Sequence, residues 1–89
     1  MYKASFTTRF KKDYKLCKKR GYDMQLFETL YDILTETGNL PQPYKPHPLS
    51  GKWAGYIDAH IKPDWILIYT VKENEIDFVR MGTHSDLFK

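Results

Sequence analysis

The stretch KWAGYIDAHIKPDWILIYTVKENEIDFVRM, Lys52–Met81, decides the fold. Its middle part, Trp65–Tyr69, is an unbroken run of apolar and aromatic residues, which is typical of a strand that is buried on both faces. The connections Ile61–Pro63 and Lys72–Asn74 have the length of hairpin turns. The stretch therefore predicts an antiparallel meander with its second strand in the centre. The predicted strands are Lys52–His60, Asp64–Val71 and Glu75–Met81.

The residues before this stretch predict a strand, two helices and a stiff loop. Tyr2–Phe6 alternates apolar and polar residues with the period of a strand. Two segments with helical spacing of apolar residues follow, and capping residues and glycines bound them. The bounding residues are Thr7 or Thr8, Gly21, Asp23 and Gly38. The next segment, Leu40–Gly51, contains four prolines, which disfavour a helix or a central strand.

These elements predict an α+β fold in a single domain, residues 1–89. It comprises an N-terminal strand, a two-helix hairpin, the three-stranded antiparallel meander and a short C-terminal helix, with the strands in one twisted, antiparallel-rich sheet. A chain of 89 residues buries only about 60% of its unfolded surface, so most of its apolar side chains are needed for the core. We therefore expect no separate ligand-binding lobe.

Several sequence features indicate a cytoplasmic protein without a membrane partner. The longest apolar run, Trp65–Tyr69, is far shorter than the roughly 20 residues that a membrane span needs. The first residues, MYKASF, contain no apolar signal-peptide core. Cys17 is the only cysteine, so no intrachain disulfide can form, and a reducing compartment is expected.

The charge is distributed unevenly along the chain. The first 20 residues carry eight lysines and arginines against one acid, although the net charge of the whole chain is only +3. Lys12, Lys15 and Lys19 project from the side of the first helix opposite its apolar stripe. This pattern favours a polyanionic or acidic partner, and the alternative is an ordinary solvated helix face.

The three histidines are spread along the chain, but the predicted topology brings two of them together. His60 and Asp64 flank the first hairpin turn, so we expect them to lie side by side. The last strand returns antiparallel, which carries His84 back to the neighbourhood of Asp64. His47 joins them only if the proline loop folds back, which the sequence leaves open.

Two imidazoles and a carboxylate suit RNA cleavage by general acid–base catalysis. Nearby cations would hold the phosphate, with Arg80 favoured over Lys45, Lys52 and Lys62. Phe88 or Trp65 would stack on an unpaired base. Two other interpretations stay open: an ordinary turn contact between His60 and Asp64, and a zinc site. The zinc site would use His47, His60, Asp64 and His84.

Two segments, HPLSGKWAGYIDAHIKPDWILIY (His47–Tyr69) and RMGTHSDLF (Arg80–Phe88), closely resemble the YafQ branch of the RelE superfamily of mRNA interferase toxins. Four separated signatures occur in the family's order: HPL with G and W behind it, DAH, PDWILIY, and GTH with LF. The resemblance covers nearly the whole chain. It implies active-site positions at His47, His60, Asp64, His84 and Phe88, with no metal and no cofactor.

The resemblance also implies a function. We expect a metal-independent endoribonuclease that cleaves mRNA in the ribosomal A site through attack of the 2′-OH. His84 would be the general acid, while His60, supported by Asp64, and His47 would share the base and phosphate-positioning roles. The expected RNA-binding residues are Arg80, Lys52, Lys62 and Trp65, and the expected ribosome-binding basic face comprises Lys11, Lys12, Lys15, Lys18 and Lys19.

The implied partners are mRNA on the ribosome, ribosomal RNA and a cognate antitoxin. The antitoxin is expected to be dimeric and DNA-binding, and to form a heterotetramer with the toxin. The alternative function is a non-catalytic RNA- or ribosome-binding module, or an inactive toxin homologue.

Overall fold

The computed structural model describes residues 1–88 and contains one five-stranded mixed sheet with three helices. The sheet order is β1-β5-β4-β3-β2, in which β1 is parallel to β5 and the other neighbours are antiparallel. The strands are β1 Lys3–Phe6, β2 His47–Pro48, β3 Ile57–Lys62, β4 Trp65–Lys72 and β5 Glu75–Gly82. The helices are α1 Thr8–Lys19, α2 Met24–Thr37 and α3 His84–Leu87.

The predicted α+β fold is confirmed, with a difference at the start of the meander. Strand β4 is central, as its apolar run predicts. Strand β3 begins at Ile57 rather than at Lys52. The residues before it form a single 3-10 turn, Gly51–Trp53, and Gly55 adopts a φ of +91°, which is incompatible with an extended strand. The proline segment also supplies a short edge strand, β2, that the sequence did not predict.

Local capping explains where the two long helices begin and end. The Thr7 side chain accepts a hydrogen bond from the Phe10 N–H at the start of α1, and Asp23 accepts one from the Gln25 N–H at the start of α2. Gly38 ends α2 at a φ of +77°, and the Tyr2 ring lies so close that a Cβ there would be 2.5 Å from it. The positive φ therefore favours glycine at this end of α2, and a side chain there would also displace the Tyr2 ring.

The two faces of the sheet are covered very differently. Both long helices pack on the face that carries Leu67, Tyr69 and Phe78, where they form the main core. Among residues 1–88, only α3 and the segment that leads into β3 cover the opposite face, which carries Ile66 and Ile68. This second face therefore leaves room for polar groups beside a small apolar cluster.

Beyond the end of β1, the edge of β5 is covered by α1 and by Thr7, the residue that caps it. The Thr7 hydroxyl donates to the Val79 carbonyl at 2.8 Å, and the Met81 N–H donates to Asp13 at 3.0 Å. Arg80 donates from Nε and Nη2 to the same Asp13 carboxylate at 2.8 and 3.1 Å. The pair is mostly buried, and the hydrogen bond to Asp13 raises the pKa of Arg80. This edge contact thus ties α1 to the sheet.

The position of Arg80 bears on its predicted role. Arg80 was expected to hold the RNA phosphate, but two of its nitrogens already bind Asp13, and only 15% of its side chain is exposed. An arginine that is committed to a buried carboxylate in this way stabilises the fold, and freeing it for a phosphate would leave Asp13 unpaired. Arg80 therefore forms an internal ion pair, and its role in phosphate binding stays a prediction.

We expect Asp13→Ala to lower the free energy of unfolding by about 3 kcal/mol, because it leaves the buried Arg80 charge and the Met81 N–H without a partner. Urea unfolding followed by circular dichroism measures the change. Asp32→Ala, on the exposed side of α2, is the matched control and should change it by less than about 0.5 kcal/mol. Equal effects of the two substitutions would contradict the structural role of Asp13.

Candidate active site

Three separate elements bring the three histidines together on the sheet face opposite the long helices. His47 lies on β2, His60 on β3, and His84 is the first residue of α3. The ring centroids of His47 and His60 are 6.4 Å apart, and those of His60 and His84 are 5.8 Å apart. The proline loop does fold back, since β2 pairs with β3 and places His47 opposite Asp58. The histidines therefore form a row with His60 in the middle.

Each histidine of this row turns its Nδ1 atom toward an oxygen acceptor. The His60 Nδ1 lies 3.2 Å from the Pro63 carbonyl, and the His84 Nδ1 lies 2.6 Å from Asp64 Oδ1. An acceptor at Nδ1 requires the proton to be on Nδ1 in the neutral ring. The Nε2 atom is then the one that remains free to accept a proton.

His47 follows the same rule with two acceptors instead of one. Its Nδ1 lies 3.1 Å from the Lys45 carbonyl and 2.9 Å from Asp58 Oδ1. The Lys45 carbonyl reaches this place because Lys45 adopts a φ of +48°, at the end of the 3-10 turn Gln42–Tyr44. Both neighbours of Nδ1 can only accept, so His47 is also held as the Nδ1–H tautomer.

Asp64 binds His84, and the predicted pair of Asp64 with His60 is wrong. One oxygen of Asp64 accepts both the backbone N–H of His84 at 2.9 Å and its Nδ1–H at 2.6 Å. These hydrogen bonds, the backbone one first, lower the pKa of Asp64, so the carboxylate stays ionised. His60 instead contacts the Pro63 carbonyl within its own turn. The β-bulge between His60 and Lys62 breaks the simple side-by-side register that the prediction assumed.

Asp58 is a site residue that was not predicted. It is 5% exposed, and Oδ1 accepts no well-aligned hydrogen bond from residues 1–88 although His47 Nδ1 lies 2.9 Å away. Burial raises the pKa of Asp58, and the three histidines partly oppose this rise. Because Asp58 and His60 are two residues apart on one strand, they share a face of the sheet. This spacing in the DAH motif was the signal that could have revealed Asp58.

The aromatic side chains beside the row include one that was predicted, Phe88, and one that was not, Trp53. Phe88 is 37% exposed, and its ring centroid lies 6.2 Å from that of His84 and 6.3 Å from that of Trp53. Trp53, Tyr56 and Phe88 line a cleft of about 530 Å³ together with Lys52 and Leu87. Trp65 was expected to stack on RNA, but it is 3% exposed and packs against Tyr22 in the core. Trp53 is therefore a further candidate for stacking on a base, and the role of Trp65, which lines a separate cleft with Lys62 and Asp64, stays a prediction.

The predicted lysines are exposed, in two groups. Lys52 borders the aromatic cleft, and Lys62 borders a shallow depression that also contains His60. The other group lies on α1 and consists of Lys11, Lys12, Lys15, Lys18 and Lys19.

Within residues 1–88, no three histidine, cysteine or acidic side chains are arranged to hold a metal ion, so the four residues of the zinc interpretation do not form such a group. None of the helices in the same range could cross a bilayer.

Comparisons with known proteins agree with this fold. The sequence profile described as "Bacterial toxin of type II toxin-antitoxin system, YafQ" matches residues 2–89. The chain is 46% identical over 84 residues to the mRNA interferase toxin YafQ of Escherichia coli K12, which covers 93% of this chain and 91% of that protein.

Two solved structures are also closely similar. The E. coli DinJ–YafQ complex matches with a TM-score of 0.91 and 42% identity over 100% of both chains. A metal-bound toxin from Helicobacter pylori matches with a TM-score of 0.89 and 37% identity, covering 99% of this chain and 100% of that one. These matches place the fold among the toxins of bacterial type II toxin–antitoxin systems. Within that class, the chain belongs to the YafQ family, as its sequence signatures predicted.

We expect the neutral rings of all three histidines to carry their proton on Nδ1, because each Nδ1 faces an oxygen acceptor. Two-dimensional ¹⁵N NMR of histidine-labelled protein at about pH 8, where imidazoles are mostly neutral, distinguishes the tautomers. Asp64→Asn should alter the pattern of His84 and leave that of His47 unchanged. An Nε2–H tautomer for His84 in the unsubstituted protein would contradict the geometry.

Proposed function

We propose that this protein is an mRNA interferase toxin, an endoribonuclease that acts through its three histidines. The observation that carries the proposal is the row of three imidazoles in which each Nδ1 faces an oxygen acceptor, so that each Nε2 is left for the substrate. Acid and base groups on adjacent side chains are what cleavage of a phosphodiester by the 2′-OH requires. Membership of the YafQ family and the named activity of the E. coli relative support the same function.

The base side of the reaction belongs to His47 and His60. The Nε2 atom of one of them takes the proton of the ribose 2′-OH, and the 2′-oxygen then attacks the adjacent phosphorus. The 6.4 Å between the two ring centroids brings both within reach of one ribose. The Lys45 carbonyl accepts the His47 Nδ1–H, and the charge of Asp58, 2.9 Å from the same nitrogen, stabilises the imidazolium that forms when His47 takes the proton. The two imidazoles divide the base and phosphate-positioning roles between them.

The acid side belongs to His84. Its imidazolium donates the Nε2 proton to the departing 5′-oxygen as the bond between phosphorus and that oxygen breaks. The products are a 2′,3′-cyclic phosphate and a free 5′-hydroxyl, so protons and bonds balance without another reactant. Asp64, which stays ionised, holds the positively charged ring by Nδ1 and fixes its direction.

The side chains around the row provide RNA contacts. Lys52 and Lys62 offset the negative charge that develops on the phosphate. The exposed ring of Phe88 and the half-buried ring of Trp53 offer stacking surfaces for an unpaired base. These contacts require single-stranded RNA, because bases in a duplex are not free to stack on protein side chains.

We place the substrate in the A site of the ribosome. The five lysines of α1 would contact phosphates of ribosomal RNA, which gives affinity without reading sequence. Translating ribosomes are cytoplasmic, so the cytoplasm is the proposed location. The whole chain, residues 1–89, would act as one toxin domain.

A cognate antitoxin is the second proposed partner. YafQ of E. coli forms a complex with DinJ, and this chain shares 42% identity and the whole fold with the YafQ of that complex. We propose a dimeric, DNA-binding antitoxin that forms a heterotetramer with this toxin and covers the histidine row or the basic face. Either position would block access to the substrate.

The proposed reaction is metal-independent. Three imidazoles and two carboxylates already provide the acid, the base and their positioning groups. A toxin of the same fold from Helicobacter pylori binds metal, so this part of the proposal needs a direct test.

We expect in-frame cleavage of a reporter mRNA in a reconstituted translation system, mapped by primer extension, and no cleavage when ribosomes are omitted. His84→Ala should lower the single-turnover rate by about 10²- to 10⁴-fold, because the 5′-oxygen then leaves without a proton donor. Ser85→Ala, at the next exposed position of α3, is the control and should cleave normally.

The same assay separates the alternatives. An unsubstituted protein that binds ribosomes and leaves the message intact would be the non-catalytic module. Toxin that is treated with EDTA, freed of the chelator and then added to ribosomes in magnesium buffer should cleave as before. Activity that is lost after this treatment and returns with one added transition metal would contradict metal independence.

Neutralising Lys12, Lys15 and Lys19 together should weaken ribosome binding and leave the cleavage rate at saturating ribosomes unchanged. These side chains are exposed on α1, away from the histidine row, and each lost phosphate contact lowers the slope of log K against log salt by about one unit. Ribosome pelleting over a range of salt concentrations measures the slope. A control variant, Lys3→Gln with Lys72→Gln, removes charge near the β4–β5 turn. A slope equally reduced in the control would contradict a specific role of α1.

A further inference from the structure

The last residue of α1's basic segment does not share the role of the lysines before it. Arg20 donates from Nη1 to Asp86 Oδ2 at 2.7 Å and from Nη2 to Asp86 Oδ1 at 3.3 Å. This two-point contact joins the end of α1 to α3, which is 66 residues away in sequence. Since both terminal nitrogens are used, Arg20 differs from the exposed lysines, which have their charges available for a polyanion.

Asp86 has a second function at the start of α3. Its Oδ2 accepts the Thr83 N–H at 3.0 Å, and its own N–H donates to the Thr83 hydroxyl at 3.1 Å, so the two residues form a capping box. The side chain also lies over Gly82, where a Cβ would be only 2.8 Å from Oδ2. The carboxylate is therefore held in one place, between the end of β5 and the end of α1.

A helix as short as α3 depends on such anchors. It spans four residues, His84–Leu87, and a single turn is not stable by its own hydrogen bonds. Leu87 is buried at one end of the turn. At the other end, the backbone of His84 is held by Asp64, and Asp86 is held by Arg20. The direction of the His84 ring, which is itself exposed, follows from where this turn is held.

The charge of Asp86 also affects the neighbouring pair of Asp64 and His84. The hydrogen bond from Arg20 has the largest effect in lowering the pKa of Asp86, and the hydrogen bond from the Thr83 N–H lowers it further. The Asp86 carboxylate is therefore ionised. The Asp86 charge acts on Asp64 in the direction that opposes its ionisation. Arg20 compensates this negative charge beside the pair of Asp64 and His84.

We propose that Arg20 is a positioning residue for His84 and acts through Asp86. The inference rests on the proposed function only in that His84 is taken as the general acid. In this arrangement, the helix that carries the basic face is coupled directly to the turn that carries the acid. Removing the Arg20 guanidinium loosens α3 and leaves Asp86 uncompensated, and ribosome binding by the lysines stays intact.

The test compares Arg20→Gln with Arg9→Gln, which removes an arginine from the first turn of the same helix, where Arg9 forms no ion pair with the described residues. Arg20→Gln should lower kcat by about three- to fivefold, the size expected for losing a half-exposed ion pair, with KM for ribosomes unchanged. Arg20→Lys, which keeps the charge, should recover part of the loss. Arg9→Gln should leave kcat unchanged.

A double-mutant cycle with Asp86→Asn shows through which group Arg20 acts. If Arg20 acts through Asp86, then Arg20→Gln causes no further loss of kcat when Asp86→Asn is already present. A loss confined to KM would mean that Arg20 contacts ribosomal RNA instead and would overturn the proposal. An equal loss in both backgrounds, or none in either, would overturn it as well.

An NMR measurement makes the outcome independent of the nuclease assay. In ¹⁵N-histidine spectra, the His84 Nδ1–H proton that bonds to Asp64 should broaden or exchange faster in Arg20→Gln, while the His47 signal stays unchanged. If the unsubstituted protein cleaves no mRNA, the proposed function fails, and the spectra still decide whether Arg20 positions His84. Unaltered His84 signals in Arg20→Gln would refute the positioning role.

Discussion

The burial of strand β4 on both faces is the constraint on which both the core and the candidate active site depend. Trp65 and Leu67 face the long helices, whereas Ile66 and Ile68 face the other side, and all four are at most 3% exposed. A slip of one residue would exchange the two sets, so the register of β4 is strongly determined. That register places Ile66 opposite both His60 and Gly82. His60 and Gly82, which comes just before α3, therefore lie on either side of Ile66.

The unequal cover of the two sheet faces explains how so small a protein can keep a polar site. The main core, between the long helices and the sheet, contains an aromatic cluster in which Phe10, Phe27 and Phe78 are in mutual contact. The second face has only a small cluster around Ile66, Ile68 and Leu87. The histidines lie at the margin of this cluster, where they are partly exposed, with His47 and His60 on strands and His84 on α3.

Much of the fold could be predicted from the sequence because its signals are local. The apolar run of β4, the caps at Thr7 and Asp23 and the stop at Gly38 each act within a few residues, and the structure confirms them. The composition of the site was also indicated by motifs. Side-chain partners were harder to predict, because a bulge or a long-range contact of one side chain decides them.

Arg80, Trp65 and Asp64 show what such contacts change. Arg80 lies on a strand near a cluster of histidines, which suggested phosphate binding. Its guanidinium forms an ion pair with Asp13, which lies on a helix 67 residues away in sequence. Trp65 begins a strand whose alternation points it into the core. Because of the bulge after His60, Asp64 binds His84 and not His60, its predicted partner. None of these outcomes follows from hairpin spacing, because each depends on the packing of elements that the spacing does not describe.

In the proposed mechanism, the two carboxylates of the site, rather than the three histidines, would distinguish the acid side from the base side. Burial raises the pKa of Asp58, whereas hydrogen bonds from His84 lower that of Asp64. In the proposed mechanism, the carboxylate whose ionisation is opposed by burial lies beside His47 on the base side, and the carboxylate that stays ionised holds His84 on the acid side. Enzymes commonly separate acid and base roles by such opposite environments, and the proposed separation would run along the row from β2 to α3.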